Sequence, residues 1–426
     1  MKKRLVAVLM AAAMAATMTA CGGSGSSDSA ADTSASSGEA EESTEASGDG
    51  EELSIVLRGG TYADVIKACL PAFEEEHNCT VEVMELSEDD LKQNIALDAL
   101  NAEGSYDMCM VDGSWMAEFT ENEVLADLKE LGYDLDDDII EATKTICYSD
   151  DKLYLAPYYG NVTVLLLNKA NVEEAGYATN EINTLDDILT ICKTAQENGK
   201  KGFIYRGDTA NNLVVDFMPI LLSYGGWVVD DNNQPTVNTP EFQAAMEYYL
   251  ELIATGDAEV KDDLIASCDT GAGTMGVGWP GWYTPTEDSA ADYVAITGVA
   301  SEGDEAYNAN VYGIWTIGVP ANSQHKELAA ELVAYLMDAD VQLDTVSIGG
   351  VPCRYSSLQN EDVLAEYPQY EVVCQALEGG VYRPVMAEWG EFCTILGAEL
   401  DNIVNGVSSV EDGLQAAQEK LEDLVG

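Results

Sequence analysis

From position 53 onward, short apolar runs alternate with longer stretches in which apolar residues recur every three or four positions. The first run, Ile55 to Leu57, is followed by a glycine turn. Val65, Ile66, Cys69, Leu70 and Phe73 then share one face of a predicted helix. TVEVMEL (80–86) predicts a second strand, and YDMCMVD (106–112) a third after another helix. Strand, helix and strand at this spacing predict an α/β fold with a mostly parallel sheet flanked by helices. In such sheets ligands sit beyond the carboxyl ends of the strands, here the loops Arg58 to Tyr62 and Asp112 to Trp115.

YLAPYYGNVTVLLLNKANVEEAGY (154–177) runs from a proline-aromatic turn into the most apolar strand of the chain, Val162 to Leu167. A helix after Thr184, the strand GFIY (202–205) and helices around 213–224 and 240–255 make a second α/β set. Two lobes joined by crossing strands are the simplest arrangement. GWPGWYTP (278–285) breaks the pattern, because Pro280 and Pro285 with Gly278 and Gly281 forbid a regular element there. Two of the chain's six tryptophans and a tyrosine must therefore serve a shaped loop.

The N-terminus has a different character. Lys2, Lys3 and Arg4, an apolar run from Leu5 to Met18 and small residues before Cys21 predict an export signal over residues 1–20, too short to span a membrane. Met18-Thr19-Ala20-Cys21 resembles the lipobox of bacterial lipoproteins, with methionine where leucine is usual, and implies that Cys21 is lipidated and becomes the mature N-terminus. Residues 21–52 contain no lysine, arginine or aromatic and predict a disordered tether. Its typical reach is roughly 30 Å.

Charge then removes whole classes of function. The chain carries 19 basic and 77 acidic residues, and loss of Lys2, Lys3 and Arg4 deepens the imbalance, which excludes nucleic acid as a partner. The acidity reads as a solvated surface, or as attraction for a cationic ligand or Ca²⁺. Cys69, Cys79, Cys109, Cys147, Cys192, Cys268, Cys353, Cys374 and Cys393 are scattered without CxxC pairs, which favours buried free thiols over a disulfide framework or a zinc site. DDNNQP (230–235) lacks the glycine and distant glutamate of a calcium loop and predicts a hairpin turn, while Asp136 to Asp138 predict a helix start. His77 and His325 stand alone, and no nucleophile elbow, zinc helix or phosphate loop occurs, so neither an enzyme, a metal nor a cofactor is expected.

SYDMCMVDGSWMAEFTENEVLADL, LYLAPYYGNVTVLLLNKANVEEAG, GTMGVGWPGWY and GIWTIGVPANSQHKELAAELVAYLM occur in an order that resembles the extracellular solute-binding proteins of ABC importers. The resemblance covers most of residues 53–426 and points to the sugar-binding cluster that includes maltose-binding protein. It implies the two-lobed flytrap fold of the type II periplasmic-binding proteins, with lobe one at 53–158 plus 294–347 and lobe two at 159–293 plus 348–426. It further implies a monomer that captures a small-molecule solute between the lobes and delivers it to ABC permease subunits, while the lipid holds it at the membrane.

A sugar exposes apolar C–H faces and rings of hydroxyls, so its site needs flat aromatic platforms and planar polar groups. The resemblance brings Trp279, Trp282 and Tyr283 to the cleft. Trp115, Asp112 and Ser114 follow a predicted strand, though Asp112 or Ser114 also suits a helix cap. Tyr62, Tyr158, Tyr159, Trp315 and Trp389 are further candidates. The four arginines beyond the signal, Arg58, Arg206, Arg354 and Arg383, each lie beside glycine, proline or an aromatic, where bidentate contacts with ligand or with acids are expected. Polyamine, amino-acid or peptide binding on the same fold, and a surface adhesin or sensor, are the rival readings.

Overall fold

Leu53, Ile55, Val56 and Leu57 are buried together in strand β1, whose range is Glu52–Arg58. The computed structural model describes residues 50–285, 288–294, 296 and 309–426; the expected signal, Cys21 and the tether up to residue 49 lie outside the described residues. On one side of β1 lies β2 (Thr80–Leu86), on the other the wholly buried β3 (Met108–Asp112), both parallel to it. Between β1 and β2 runs the helix Thr61–His77, which buries Ala63, Val65, Ile66, Leu70 and Phe73, the spacing of one helical face. A small hairpin, β4 (Tyr148–Ser149) with β5 (Lys152–Leu153), leads to β6 (Ala156–Tyr159).

Five residues later the chain is in a second sheet, built from β7 (Val164–Asn168), β8 (Lys201–Ile204), β9 (Gly273–Gly278) and β10 (Ala291–Val294) in the order β10-β7-β9-β8. Helices Ala210–Ser223 and Pro240–Ile253 cover it where the apolar periodicity places them. The chain then returns through β11 (Val311–Tyr312) to β12 (Trp315–Gly318), which inserts between β3 and β6 and completes the order β2-β1-β3-β12-β6. β11 pairs in parallel with β13 (Val381–Tyr382), just before Arg383.

The fold is α/β, with the sheets mixed rather than mostly parallel. β12 runs antiparallel to both neighbours, and β7 antiparallel to β9 and β10. Helical crossovers keep β1, β2 and β3 parallel, but β12 enters its sheet only on the return from the second one and is free to run the other way.

Cys353, Tyr370, Val373 and Leu377 share one core with residues of both sheets, Val164, Leu166 and Tyr293 of the second among them, while Val294 pairs with Leu165 of β7. Residues 351–377 thus lie between the two sheets, the helix Gln369–Gly379 packing on both β10 and the helix Glu141–Lys144, while the later helices, Trp389–Val404 and Val410–Val425, join the core of the second sheet. Asp136 to Asp138 start no helix. Asp138 accepts from the backbone N–H of Ser356 at 2.9 Å and, like Asp136, from Arg354, which fastens this returning segment to lobe one. At 230–234 the turn is a hairpin, with Asp230 Oδ1 accepting from the N–H groups of Asn232 and Gln234. Among the described residues, eight of nine cysteines are buried and all nine are free thiols.

Candidate functional site

Strand ends and returning segments converge on one cavity of about 650 Å³ whose wall is drawn from both sheets. At the carboxyl end of β1, Arg58, Gly59 and Gly60 lead into the helix Thr61–His77. Gly60 holds φ at +89°, a conformation glycine adopts without strain, and offers no side chain to cap the helix. Tyr62 then points its ring at Trp315, 5.7 Å away, and Trp315 meets Trp115 edge-on at 5.7 Å. These three rings form an aromatic floor on the first lobe.

Asp112, the last residue of β3, does two jobs the sequence left as alternatives. Its Oδ1 caps the turn Gly113–Trp115 by accepting from the N–H and Oγ of Ser114 at 2.9 and 2.7 Å. The same carboxylate accepts from Nη2 of Arg383 at 2.7 and 2.8 Å. Arg383 Nε donates to the carbonyl of Tyr312, so β11 and β13 aim the guanidinium. Burial opposes its charge, but Asp112 and Glu88 more than offset that, and its pKa rises above the ordinary arginine value.

On the second lobe, the sequence GWPGWY ends β9 at Gly278 and makes a tight turn, Pro280–Trp282. Tyr293 donates its hydroxyl to the carbonyl of Tyr283 at 2.7 Å and pins that turn. Trp279 lies against Gly313, where a Cβ would come within 2.8 Å of the indole. Trp282 has the guanidinium of Arg206 4.8 Å from its ring centroid. Arg206 is held in turn by the fully buried Asp216 and by Asn212 Oδ1 at 3.0 Å. Trp389, at the start of its helix, closes the wall and stacks on Phe392.

Of the residues expected in the site, the cavity gathers Arg58, Tyr62, Asp112, Ser114, Trp115 and Trp315 from lobe one. Arg206, Trp279, Trp282, Arg383 and Trp389 complete it. Four fall outside its lining. Tyr158 and Tyr159 lie on β6, which is buried throughout, and Tyr159 donates its hydroxyl to the carbonyl of Gly349 at 2.7 Å. Tyr283 turns away to donate to Asp269 at 2.6 Å. Arg354 is consumed by Asp136, Asp138 and the carbonyl of Met337.

Among the cavity residues that escaped the sequence reading, two bear directly on the site's polar contacts and charge. Asn161 lines the wall and donates to the hydroxyl of Tyr62 at 3.4 Å; nothing in its local sequence marks it. Glu88 follows the carboxyl end of β2, and the strand-end rule that found Arg58 and Asp112 would have found it too. Burial, and next the negative charge of Asp112, push the Glu88 carboxyl above its usual 4.5, while Arg383 and Arg58 oppose the rise. The folded chain therefore holds this proton more tightly than the unfolded one, and the stability it confers is lost as pH climbs from 4.5 through the raised value. The melting-temperature gap by which Glu88→Gln exceeds the wild type should accordingly widen between pH 4 and neutrality in paired thermal melts. A gap independent of pH would remove this account of Glu88.

Diacetylchitobiose binding protein DasA of Streptomyces coelicolor is 24% identical to this chain over 408 residues, 91% of this chain and 90% of that protein. A probable amino-acid ABC transporter periplasmic-binding protein, y4oP of Sinorhizobium fredii, is 22% identical over 395 residues, 88% of this chain and 90% of that protein. Among solved structures, T. maritima MalE3 with maltose bound superposes with a TM-score of 0.74 at 20% identity, covering 88% of this chain and 99% of that one. It has the same fold. Residues 54–343 match the family described as bacterial extracellular solute-binding protein, and the chain belongs to that family.

Proposed function

We propose that this protein binds a carbohydrate in the interlobe cavity and delivers it to the permease of an ABC importer, anchored through lipidated Cys21 to the outer face of the cytoplasmic membrane. The observation that carries this reading is the concentration of aromatic surface. Five of the chain's six tryptophans, Trp115, Trp279, Trp282, Trp315 and Trp389, line one cavity beside arginines and carboxylates. Indole faces match the C–H faces of sugar rings, and planar charged groups match their hydroxyls. A volume of about 650 Å³ is ordinary for a small-molecule site. DasA and MalE3, whose names and titles give diacetylchitobiose and maltose, support the same ligand class.

The mechanism is binding without chemistry. A ligand that touches both lobes favours the closed arrangement by its differential affinity, and the closed form is the one the permease accepts. Amino-acid binding is the second reading, favoured by the name of the Sinorhizobium relative. A thermal-shift screen against mono-, oligo- and acidic saccharides, with amino acids and polyamines alongside, separates the two. Saccharide should raise the melting temperature in a concentration-dependent way, because it binds only the folded state. Stabilisation by amino acids or polyamines alone would overturn the carbohydrate reading.

A further inference from the structure

We propose that the carbohydrate carries a carboxylate and that Arg58 binds it. This rests on the carbohydrate reading above and narrows it. Over the whole chain acidic residues outnumber basic ones by 77 to 19. Around the cavity the ratio reverses among the described residues, with five basic side chains, Arg58, Lys92, Arg206, Lys261 and Arg383, against four acidic ones, Glu88, Asp89, Asp112 and Glu118.

Three of the five bases are already committed. Arg383 pairs with Asp112 at 2.7 Å, Lys92 with Glu118 at 2.7 Å, and Arg206 with Asp216. Lys261 sits 5.6 Å from the Trp282 ring centroid. Neither Lys261 nor Arg58 has a carboxylate within ion-pair distance among the described residues, and of the two only Arg58 is a guanidinium fork, donating solely to the carbonyl of its neighbour Gly59, at 3.3 Å. A guanidinium fork matches the two oxygens of a carboxylate, a geometry a neutral hydroxyl does not fill.

The backbone around Arg58 favours the same charge. Gly59 to Tyr62 line the cavity at the uncapped first turn of the 17-residue helix Thr61–His77. Helices Glu88–Asp98, Ala210–Ser223 and Trp389–Val404 also bring first-turn or cap residues to the wall. Four positive helix ends thus converge on one space. Opposing them are Glu88 and Asp89, and Arg383 and Arg58 partly meet the charge of Glu88. The acidic exterior is screened beyond about 8 Å at physiological salt, so it does not govern what binds inside.

Titration calorimetry of the whole protein with matched pairs, galacturonate against galactose and digalacturonate against galactobiose, tests this. The uronates should bind about tenfold tighter or more than their neutral twins. Arg58→Gln should bring that ratio close to one, and Arg58→Lys, which keeps the charge without the fork, should leave it in between. Equal or weaker binding of the uronates, or an unchanged ratio in Arg58→Gln, would overturn the proposal while leaving the carbohydrate reading intact. Preference for galactose 6-phosphate over galacturonate would overturn the carboxylate in favour of phosphate. Binding of amino acids with no saccharide response would overturn both readings.

Discussion

Asp216→Ala is expected to lower folding stability by about 3–5 kcal/mol, the usual cost of stranding one partner of a buried ion pair. Asp216 is fully buried on the helix Ala210–Ser223, and its carboxylate accepts from the backbone N–H of Arg206 at 3.0 Å as well as from the guanidinium. Alanine would leave an almost inaccessible arginine with Asn212 and the face of Trp282 as its remaining partners. Urea unfolding of the two proteins measures the loss, and a value below about 1 kcal/mol would mean that water reaches Arg206 freely. The double variant Arg206→Met with Asp216→Leu should recover most of the stability, since a packed apolar pair can replace a buried ionic one. It should not recover ligand affinity, because Arg206 lines the cavity and holds the ring of Trp282.

Trp279→Ala should weaken carbohydrate binding by about 30-fold or more, the loss typical of a buried tryptophan anchor. The ring is only 7% exposed and lies against Gly313, so alanine also removes packing. Trp279→Phe separates the two effects by keeping an aromatic plane in place. It should retain affinity to within about fivefold, as the stacking surface survives. Calorimetry on both variants decides the matter: an alanine variant that binds like the wild type would take Trp279 out of the site.

Much of this fold was legible along the chain. Strands β1, β2, β3, β7 and β8 and the helices Thr61–His77, Ala210–Ser223 and Pro240–Ile253 fall within a few residues of where apolar periodicity puts them. The reason is that each buries one face or both against a layer, and burial is what the pattern records. The strand-end loops were legible for the same reason: once strands are placed, their carboxyl ends are placed too. The prolines and glycines of GWPGWYTP likewise exclude regular structure by local sterics alone.

What the sequence by itself determined, then, is the set of elements, the loops that could carry a site, and the aromatic and arginine side chains available to it. Tertiary structure decided which of those side chains meet. The four arginines have similar neighbours in sequence, yet Arg383 finds Asp112 across 271 positions, Arg354 finds Asp136 across 218, Arg206 finds Asp216 within 10, and Arg58 meets no acid among the described residues. Tyr158 and Tyr159 look suited to a cleft, but insertion of β12 beside β6 places that strand in the core. The placement of residues 351–377 between the two sheets and the antiparallel setting of β12 were equally invisible. Periodicity reports whether a residue is buried, and it is silent on its partner, because pairing depends on how distant segments come together after the local elements have formed.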